Sequence, residues 1–474
     1  MKISNLARLH STALAATFIA MCAVSQASTV ARRDLSVTDS GGTRYSIVNL
    51  GSFGGVYGQA SSINDIGTIG GASDPSGDEV TKAAVWSGRS GPINLGTLGG
   101  PNSAIAWPNH DNFPLIAGIS ETAKFNPLGE DWSCQAFFYP AATKHVCVGF
   151  VNWFGRLMAL PTLGGYDGYA SGTNDFGQVV GWTETKKHDS TCEGRGVGYG
   201  QVLQFLPAVW NPPYRRAQVL PPLPQDSDGA ATAINDIGVA VGISGECDQA
   251  VGRLTAQHVV MWQGGNVRNI PFAPTLGGAA WNTATDISNT GEIVGFANLR
   301  GDKSLNFEPH AFLWTAASGM RDLKTLPGDA ISAASGVNIF GEIVGFSGAR
   351  AFVYRSGRMN DLNALADASR LSLYLVSAND VNDLGEIVGR ACVLANGACT
   401  PTSTQVPFLA IPYHVRDASD AVRPVRPVIV PANVRAETLR RYTGVRDVTR
   451  DSSSAKDAGQ TPRSLEVSNA NVTL

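Results

Sequence analysis

Residues 234–242 read Ile-Asn-Asp-Ile-Gly-Val-Ala-Val-Gly, which is an Asn-x-x-Gly turn followed by Val-Gly. The phrase occurs seven times with variations, and its copies are 44 to 63 residues apart. The seven turns begin at Asn64, Asp111, Asn174, Asn235, Ser288, Asn338 and Asn382. A unit that recurs at this spacing is typical of repeat architectures, so the repeat decides the fold class.

One repeat contains four short runs that read as β-strands. In the fifth copy they cover residues 284–288, 292–296, 310–314 and 320–323, and Gly, Asn or Asp bounds them. Tight hairpins need positive φ angles, which Gly adopts freely and Asn tolerates. We therefore interpret the recurring Asn as a hairpin residue whose side chain bonds the nearby backbone. A calcium loop is the alternative, but it needs more carboxylates at alternate positions.

The third strand of most repeats ends in a large aromatic residue. These residues are Trp86, Tyr139, Trp210, Trp262, Trp314 and Tyr354. Regular aromatics in such an array usually fill the space between neighbouring sheets, and a row that stacks on a ligand is the alternative.

The two ends of the array complement each other. Residues 45–50 read as a fourth strand without the first three, and residues 407–411 read as a third strand without a fourth. A solenoid is the alternative, but it has shorter repeats and needs capping ends. The sequence therefore predicts an all-β, seven-bladed β-propeller of four-stranded blades over residues 45–412. It is closed by pairing of the N-terminal and C-terminal strands.

The remaining segments lie at the termini. Residues 1–27 have a basic start, a short apolar run and Ser25-Gln26-Ala27, as in a cleaved secretory signal peptide; an uncleaved anchor is the alternative. Residues 28–44 are interpreted as a linker, and residues 413–474 as a largely disordered tail. The chain is expected to be secreted or periplasmic, without membrane insertion after cleavage.

Cysteine usage agrees with export. Loss of the signal leaves six cysteines, an even number that favours disulfides, and no Cys-x-x-Cys pair suggests zinc. Fifteen pairings are possible. We predict Cys392–Cys399, which close a short loop, and Cys192–Cys247, which occupy matching loops of neighbouring repeats. Cys134–Cys147 then remains.

The charge balance limits the partners. A net charge of −3 gives no sign of nucleic-acid binding. We expect no cofactor and no metal, and a monomer whose partner is an extracellular glycan, peptide or protein.

Three phrases resemble the HAF family of bacterial extracellular repeat proteins. They are His310-Ala311-Phe312-Leu313-Trp314, Leu95-Gly96-Thr97-Leu98-Gly99-Gly100 and Ile234-Asn235-Asp236-Ile237-Gly238. The resemblance covers about residues 45 to 412 and implies an exported protein. It supplies no catalytic residues, so it identifies a scaffold and not a ligand.

The long loops are the expected binding region. In a propeller, the loops between strands two and three share an end with the entry to strand one, and long loops on a rigid scaffold often bind ligands. The long segments are 120–133, 183–205, 244–257, 297–308 and 390–406. At the strand-one entry, seven residues before the turn, the candidate ligand contacts are Tyr57, Asp167, Asp228 and Trp281. The alternative is that each is a solvated loop residue.

Two functions remain open. The first is an exported, non-catalytic binding or scaffold protein that uses the long-loop face to bind a glycan, peptide or cell-surface partner. The second is a propeller-type hydrolase or lyase acting on polysaccharide, which needs carboxylates converging with a His or metal in the funnel. His110, beside Asp111 in the degraded second repeat, is the acid–base candidate; simple drift of one repeat is the alternative. The sequence favours binding.

Overall fold

The computed structural model describes most of the repeat region and a small part of the tail. The described residues are 42–414, except 88–89, 113–114, 131, 136, 139–142, 154, 194–199, 248–254 and 304–306, together with 428, 430, 431, 434 and 435. The predicted signal peptide, most of the linker and most of the tail lie outside these residues.

Seven four-stranded antiparallel sheets surround a common axis, as the repeat count predicts. Blade 1 contains β2 (Gly54–Ile63), β3 (Thr68–Pro75), β4 (Lys82–Ser87) and β5 (Ile93–Asn94). Blade 2 contains β6 (Gly99–Ala104), β7 (Leu115–Phe125), β8 (His145–Trp153) and β9 (Arg156–Ala159). Blade 3 contains β10 (Gly164–Thr173), β11 (Val179–His188), β12 (Leu203–Trp210) and β13 (Gln218–Val219). Blade 4 contains β14 (Asp228–Ile234), β15 (Ala240–Gly245), β16 (Ala256–Gln263) and β17 (Asn266–Asn269).

The last three blades follow the same order. Blade 5 contains β18 (Thr283–Ile287), β19 (Ile293–Asn298), β20 (Pro309–Thr315) and β21 (Gly319–Lys324). Blade 6 contains β22 (Ser332–Val337), β23 (Ile343–Ser347), β24 (Arg350–Arg355) and β25 (Arg358–Asp361). Blade 7 contains β26 (Leu373–Val381), β27 (Ile387–Val393), β28 (Gln405–His414) and β1 (Thr43–Asn49).

Helical structure among the described residues is short. The helices are α1 (Trp132–Gln135) and α2 (Leu362–Leu365), and 3-10 turns cover Ser190–Cys192 and Ala368–Leu371. Within the described part of the chain, no helix has the length and apolar character needed to cross a bilayer.

The ring closes where the sequence predicts. β1 pairs antiparallel with β28, with Tyr45 opposite Pro412 and Ile47 opposite Ala410. β28 ends at His414, two residues past the predicted boundary at 412. Part of the predicted tail also packs on blade 7, because Val430 and Val434 are buried beside the Cys392–Cys399 loop.

The recurring Asn has a second function beyond the hairpin. Asn235 Oδ1 accepts the Val239 amide at 2.9 Å, which is the expected local bond. Its Nδ2 donates to the Ser288 carbonyl of the next blade at 3.1 Å. Asn64, Asn174, Asn338 and Asn382 make the same inter-blade bond. The repeated Asn therefore joins neighbouring blades as well as forming a turn.

The residue after each Asn continues this ring. The Asp175 amide donates to Asp236 Oδ1 of the next blade at 2.9 Å, and the Asp383 amide donates to Asp65 Oδ1 at 2.8 Å. Buried backbone groups need such partners, so the turns around the axis satisfy each other.

Close packing of two strands explains the Gly in the recurring Val-Gly. A Cβ at Gly242 would lie 2.0 Å from the Ala230 carbonyl oxygen, and one at Gly181 would lie 1.9 Å from that of Tyr169. Strands one and two approach too closely for a side chain here, so Gly is needed for packing and not for its turn-forming φ.

The third-strand aromatics pack as predicted, with one misassignment. Trp86, Trp210 and Trp262 are buried, and the Trp262 indole donates to the Pro221 carbonyl at 2.7 Å. In blade 2, however, the third strand is β8, which comes after the segment that was expected to end at Tyr139, and α1 occupies 132–135. Tyr139 itself lies outside the described residues.

Candidate functional site

The two ends of the propeller differ in how they are built. We call the end with the strand two–three loops the loop face, and the end with the Asn-x-x-Gly turns the turn face. All three predicted disulfides are present, at Cys134–Cys147, Cys192–Cys247 and Cys392–Cys399. Cys192–Cys247 joins the loop face of blade 3 to that of blade 4, so these two loops are covalently restrained together.

Asp167 is a buried support of the loop face and not a solvated contact. Its Oδ1 accepts the Cys147 amide at 2.8 Å, and its Oδ2 accepts Asn126 Nδ2 at 3.1 Å. Both donors belong to the strand two–three region of blade 2. Asp167 therefore attaches the start of blade 3 to the neighbouring disulfide loop.

Asp228 occupies the matching place one blade further. It is fully buried, and its Oδ1 accepts the Phe205 amide at 3.0 Å. Burial, together with the neighbouring Asp189, raises the pKa of Asp228 well above its usual range. Asp189 caps the turn that contains Cys192, so Asp228 lies at the base of the disulfide-linked loops.

Tyr57 and Trp281, the other two predicted contacts, are also buried. The Arg390 guanidinium lies 6.0 Å from the centre of the Tyr57 ring, a cation–π arrangement. Trp281 packs edge-on against Phe307 at 5.4 Å. The structure thus places all four predicted residues in the interior beneath the loop face, and it does not gather them around one cavity.

The axis beneath the loop face is filled with side chains. One hydrophobic cluster contains Trp107, Tyr169, Trp281 and Phe346, with members from six blades, so it spans the axis. Phe137, which follows α1, stacks on Tyr169 with ring centres 4.6 Å apart. Among the described residues, a packed core therefore fills the axis beneath the loop face.

The exposed part of the loop face carries aromatic rings that sequence reasoning missed. Phe125, in blade 2, is 68% exposed and stacks on His145 at 4.2 Å. Tyr166, in blade 3, is 40% exposed, and its amide donates to Glu184 at 3.0 Å. Neighbouring blades thus present two flat surfaces to solvent at the same end.

Three buried carboxylates lie below Tyr166. One oxygen each of Glu130, Asp167 and Glu184 falls within 4.8 Å of the others. Burial, followed by the charge of Glu184, raises the pKa of Asp167 well above its usual range. Carboxylate oxygens are ligands for Ca²⁺ or Mg²⁺, so this group has donors suited to a hard cation.

A cavity opens on the turn face. It has an empty volume of about 440 Å³ and is lined by residues of the turns, including Asp65, Asn112, Asn289 and Asp383. Strand-one residues such as Ile63 and Val337 form its deeper wall. We call this cavity the axial mouth.

The degraded second repeat supplies the side chain inside the axial mouth. His110, between β6 and β7, reaches across the axis to blade 5, where its Nε2 lies 2.9 Å from Asp286 Oδ1. Asp380 of blade 7 is close enough for one atom of each of the three residues to lie within 4.8 Å of the others. The irregular sequence of this repeat therefore places His110 in a specific contact across the axis, which argues against simple drift of the repeat.

His110 and the two carboxylates change each other's pKa values. Burial opposes a charge on His110, but Asp286 outweighs it and raises the pKa of His110 to about 10. Burial also raises the pKa of Asp380 to about 7, against the lowering effect of His110. At neutral pH His110 is an imidazolium, which cannot accept a proton as a general base.

The carboxylates beside His110 already have structural partners. Asp286 accepts the amides of Ile287 and Val337, and Asp380 accepts those of Ile63 and Val381, all at 2.8 to 2.9 Å. Each Asp thereby bridges its own blade to the next one. A His with two Asp could also hold a metal ion, although this use would compete with the bridging bonds.

Comparisons with known proteins show no family. No protein-family model matches the sequence. No curated protein matches it either. Among solved structures, the chain is similar to the extracellular domain of a protein assigned as a one-component system from B. thetaiotaomicron, with 9% identity, 77% of this chain and 39% of that chain covered, and a TM-score of 0.39.

Two similar structures are enzymes by name. The acylaminoacyl peptidase of Pyrococcus horikoshii has 9% identity and a TM-score of 0.40, with 72% of this chain and 50% of that one covered. A polysaccharide lyase, ulvan lyase, has 10% identity and a TM-score of 0.38, with 80% and 98% covered. The chain spans half or less of the first two proteins. At these identities and TM-scores the similarity says nothing about the activity of this chain.

Proposed function

We propose that this chain is an exported, non-catalytic binding or scaffold protein that uses its loop face to hold a glycan, peptide or cell-surface partner. The disulfide-restrained loop face is the observation that carries the proposal. Three disulfides lie at that end, and one of them joins two blades. A rigid loop loses little entropy on binding, so such loops favour recognition. Disulfides also indicate folding in an oxidising compartment, in keeping with secretion or a periplasmic location, a signal peptide at 1–27 and the bacterial HAF resemblance.

The exposed aromatics would be the direct contacts. Phe125 and Tyr166 offer apolar ring faces to solvent, and such faces contribute large contact area at low entropic cost. Tyr57, Asp167, Asp228 and Trp281 would act from below, because they are buried and hold the loop bases. Metal, cofactor and nucleic acid have no part in this proposal, and the chain would act as a monomer.

The experiment is a glycan and surface-protein array probed with the full chain and with the double variant Phe125→Ala, Tyr166→Ala. The expected result is a discrete set of hits whose signal falls at least tenfold in the double variant. Tyr413→Ala is the matched control, because Tyr413 is an exposed aromatic near the opposite end of the molecule. Hits that keep their signal in the double variant would refute the loop-face site.

A polysaccharide hydrolase or lyase is the second candidate, and one observation favours it. His110, Asp286 and Asp380 converge in the axial mouth, as acid–base catalysis requires. Against it stand the protonated state of His110 and the backbone partners of both carboxylates. Assays with uronic-acid and neutral polysaccharides distinguish the two functions. Turnover that disappears in His110→Gln would support the enzyme and refute the non-catalytic binding protein.

A further inference from the structure

The turn face carries exposed apolar side chains at one repeated position. The third residue of the Asn-x-x-Gly turn is apolar in six of the seven repeats, and only Thr290 of blade 5 is polar. Five of the apolar residues lie in the described part of the chain, and they are 64–71% exposed. They are Ile66, Phe176, Ile237, Phe340 and Leu384. We call these five residues the apolar crown.

Folding does not explain the apolar crown. The turn uses its first residue for hydrogen bonds and, in six repeats, a Gly at its fourth position, but it places no demand on the third, as Thr290 demonstrates. Side chains that stay about two-thirds exposed gain little from burial. Single exposed apolar residues are ordinary, whereas a contiguous group marks an interaction surface.

Turns that carry crown residues in adjacent blades are in direct contact. The Asp175 amide donates to Asp236 Oδ1 at 2.9 Å, which joins the turns of Phe176 and Ile237. The Ile339 amide donates to Asp383 Oδ1 at 3.0 Å and the Asp383 amide to Asp65 Oδ1 at 2.8 Å, which joins the turns of Phe340, Leu384 and Ile66. The crown therefore consists of two groups of residues on neighbouring turns, one of two members and one of three.

Inside the crown lies a ring of carboxylates. The second turn residue is Asp65, Asp175, Asp236 or Asp383 in four blades, and Asn112 or Asn289 in two others. Asp65 and Asp383 line the axial mouth, where His110 already has Asp286 as its partner. Two of the four carboxylates therefore line the mouth, and a crown residue follows each of the four directly in the chain.

We propose that the turn face is a second binding surface, on which the apolar crown and the carboxylate ring hold a protein segment with an Arg or Lys flanked by apolar side chains. Charge complementarity selects this occupant. A second copy of the chain, docked turn face to turn face, would bring two carboxylate rings together. An anionic lipid surface would meet the same repulsion. With a ligand on the loop face, the molecule would join two partners at opposite ends.

The test is selection of displayed twelve-residue peptides on the full chain. Clones are then compared on the crown variant Phe176→Thr, Ile237→Thr, Phe340→Thr. Threonine occupies this position naturally in blade 5, so the fold is preserved, and a thermal melt checks this. The selected peptides are expected to combine Arg or Lys with Phe, Leu or Trp. They should bind the crown variant at least tenfold more weakly.

A second variant tests the charge. In Asp175→Asn, Asp236→Asn the new side chains keep the oxygen that accepts the neighbouring amide, as Asn112 and Asn289 do. Peptide affinity is expected to fall several-fold and to lose most of its salt dependence. Ile93→Thr, an exposed apolar residue on the outer strand of blade 1, is the matched control and should change nothing.

Two kinds of result would overturn the proposal. One is recovery of peptides that lack basic residues or bind the crown variant as well as the unaltered chain. The other is occupation by a different partner: crown-dependent dimers in sedimentation velocity, or crown-dependent flotation with phosphatidylglycerol vesicles, would show that the charge argument fails.

Discussion

At the scale of the residue, the repeated Asn is more constrained than a turn residue needs to be. Hairpin chemistry correctly predicts the bond from Asn235 to the amide four residues later. It does not predict the bond to Ser288 in the next blade, because that acceptor becomes a neighbour only when the ring closes. The same side chain thus meets a local and a long-range requirement.

Substitution of Asn235 separates the two requirements. Asn235→Ala leaves two buried backbone groups without their partner and is expected to cost about 2–4 kcal/mol of unfolding free energy. Asn235→Ser should cost about half as much, because Ser288 shows that a Ser hydroxyl keeps the local bond, at 3.1 Å. Equilibrium denaturation in urea measures both. Equal losses would mean that the local bond contributes nothing, and an unchanged stability in Asn235→Ser would mean that the inter-blade bond contributes nothing.

The sequence could not predict that the four candidate contact residues are buried, and the reason is physical. Counting back seven residues from the turn finds strand one correctly, at its first residue in Asp228 and at its fourth in Asp167. It says nothing about whether a neighbouring loop covers the side chain. Asp167 is covered by the loop that contains Asn126, 41 residues earlier in the chain. Exposure at such a position depends on loops whose sequences do not repeat.

At the scale of the element, the connection between β6 and β7 departs most from its repeat. The sequence marks it only as degraded. The structure places His110 across the axis, 176 residues away in sequence from its partner Asp286. A single sequence carries no signal for a contact of that kind, although a His beside Asn and Asp in an otherwise apolar repeat is a reason to look.

This connection gives the protein a specific pH dependence. The folded pKa of His110 is about 10, above its usual value of 6.5, so its stabilising effect is complete below pH 6.5 and is lost as the pH rises towards 10. The pKa of Asp380 is about 7 instead of 3.8, which makes stability fall between about pH 4 and 7. Both groups therefore lower the unfolding free energy as the pH rises.

His110→Gln should remove the upper part of this profile. The expected result is an unfolding free energy that falls between pH 6.5 and 10 in the unaltered chain and is nearly flat there in the variant. Denaturation midpoints across this range measure it. His188→Gln is the control, since His188 is an exposed histidine on the loop face. Identical slopes in the unaltered chain and His110→Gln would show that the ion pair does not stabilise the ring.

At the scale of the whole molecule, the seven repeats and the complementary end strands predicted the architecture correctly. The count of turns fixed the number of blades, and residues 45–50 and 407–411 identified the closing sheet. The error in blade 2 has a local cause, because α1 and the Cys134–Cys147 loop occupy the place where the third strand was expected. The repeat pattern predicts the strands and turns that recur in every blade. It does not predict the structure of inserted segments, because their sequences do not recur.

Ring closure can be tested by deletion. Removing residues 43–49 leaves the edge of β28 unpaired and loses the buried side chains of Tyr45 and Ile47, which together contribute about 3–6 kcal/mol. Aggregation or a clearly lower melting temperature is expected in light scattering and calorimetry. Removal of residues 28–41 retains β1 and is the control. A deleted chain that remained monomeric with an unchanged melting temperature would contradict closure by β1.

Binding without catalysis is the central claim, and titration of an array hit tests it most directly. Calorimetry of the full chain with that ligand, followed by mass spectrometry of the recovered ligand, gives both parts of the answer. The account predicts saturable binding at one site, weakened at least tenfold by Phe125→Ala with Tyr166→Ala, and a ligand of unchanged mass. A ligand recovered in fragments, and left intact by His110→Gln, would contradict it.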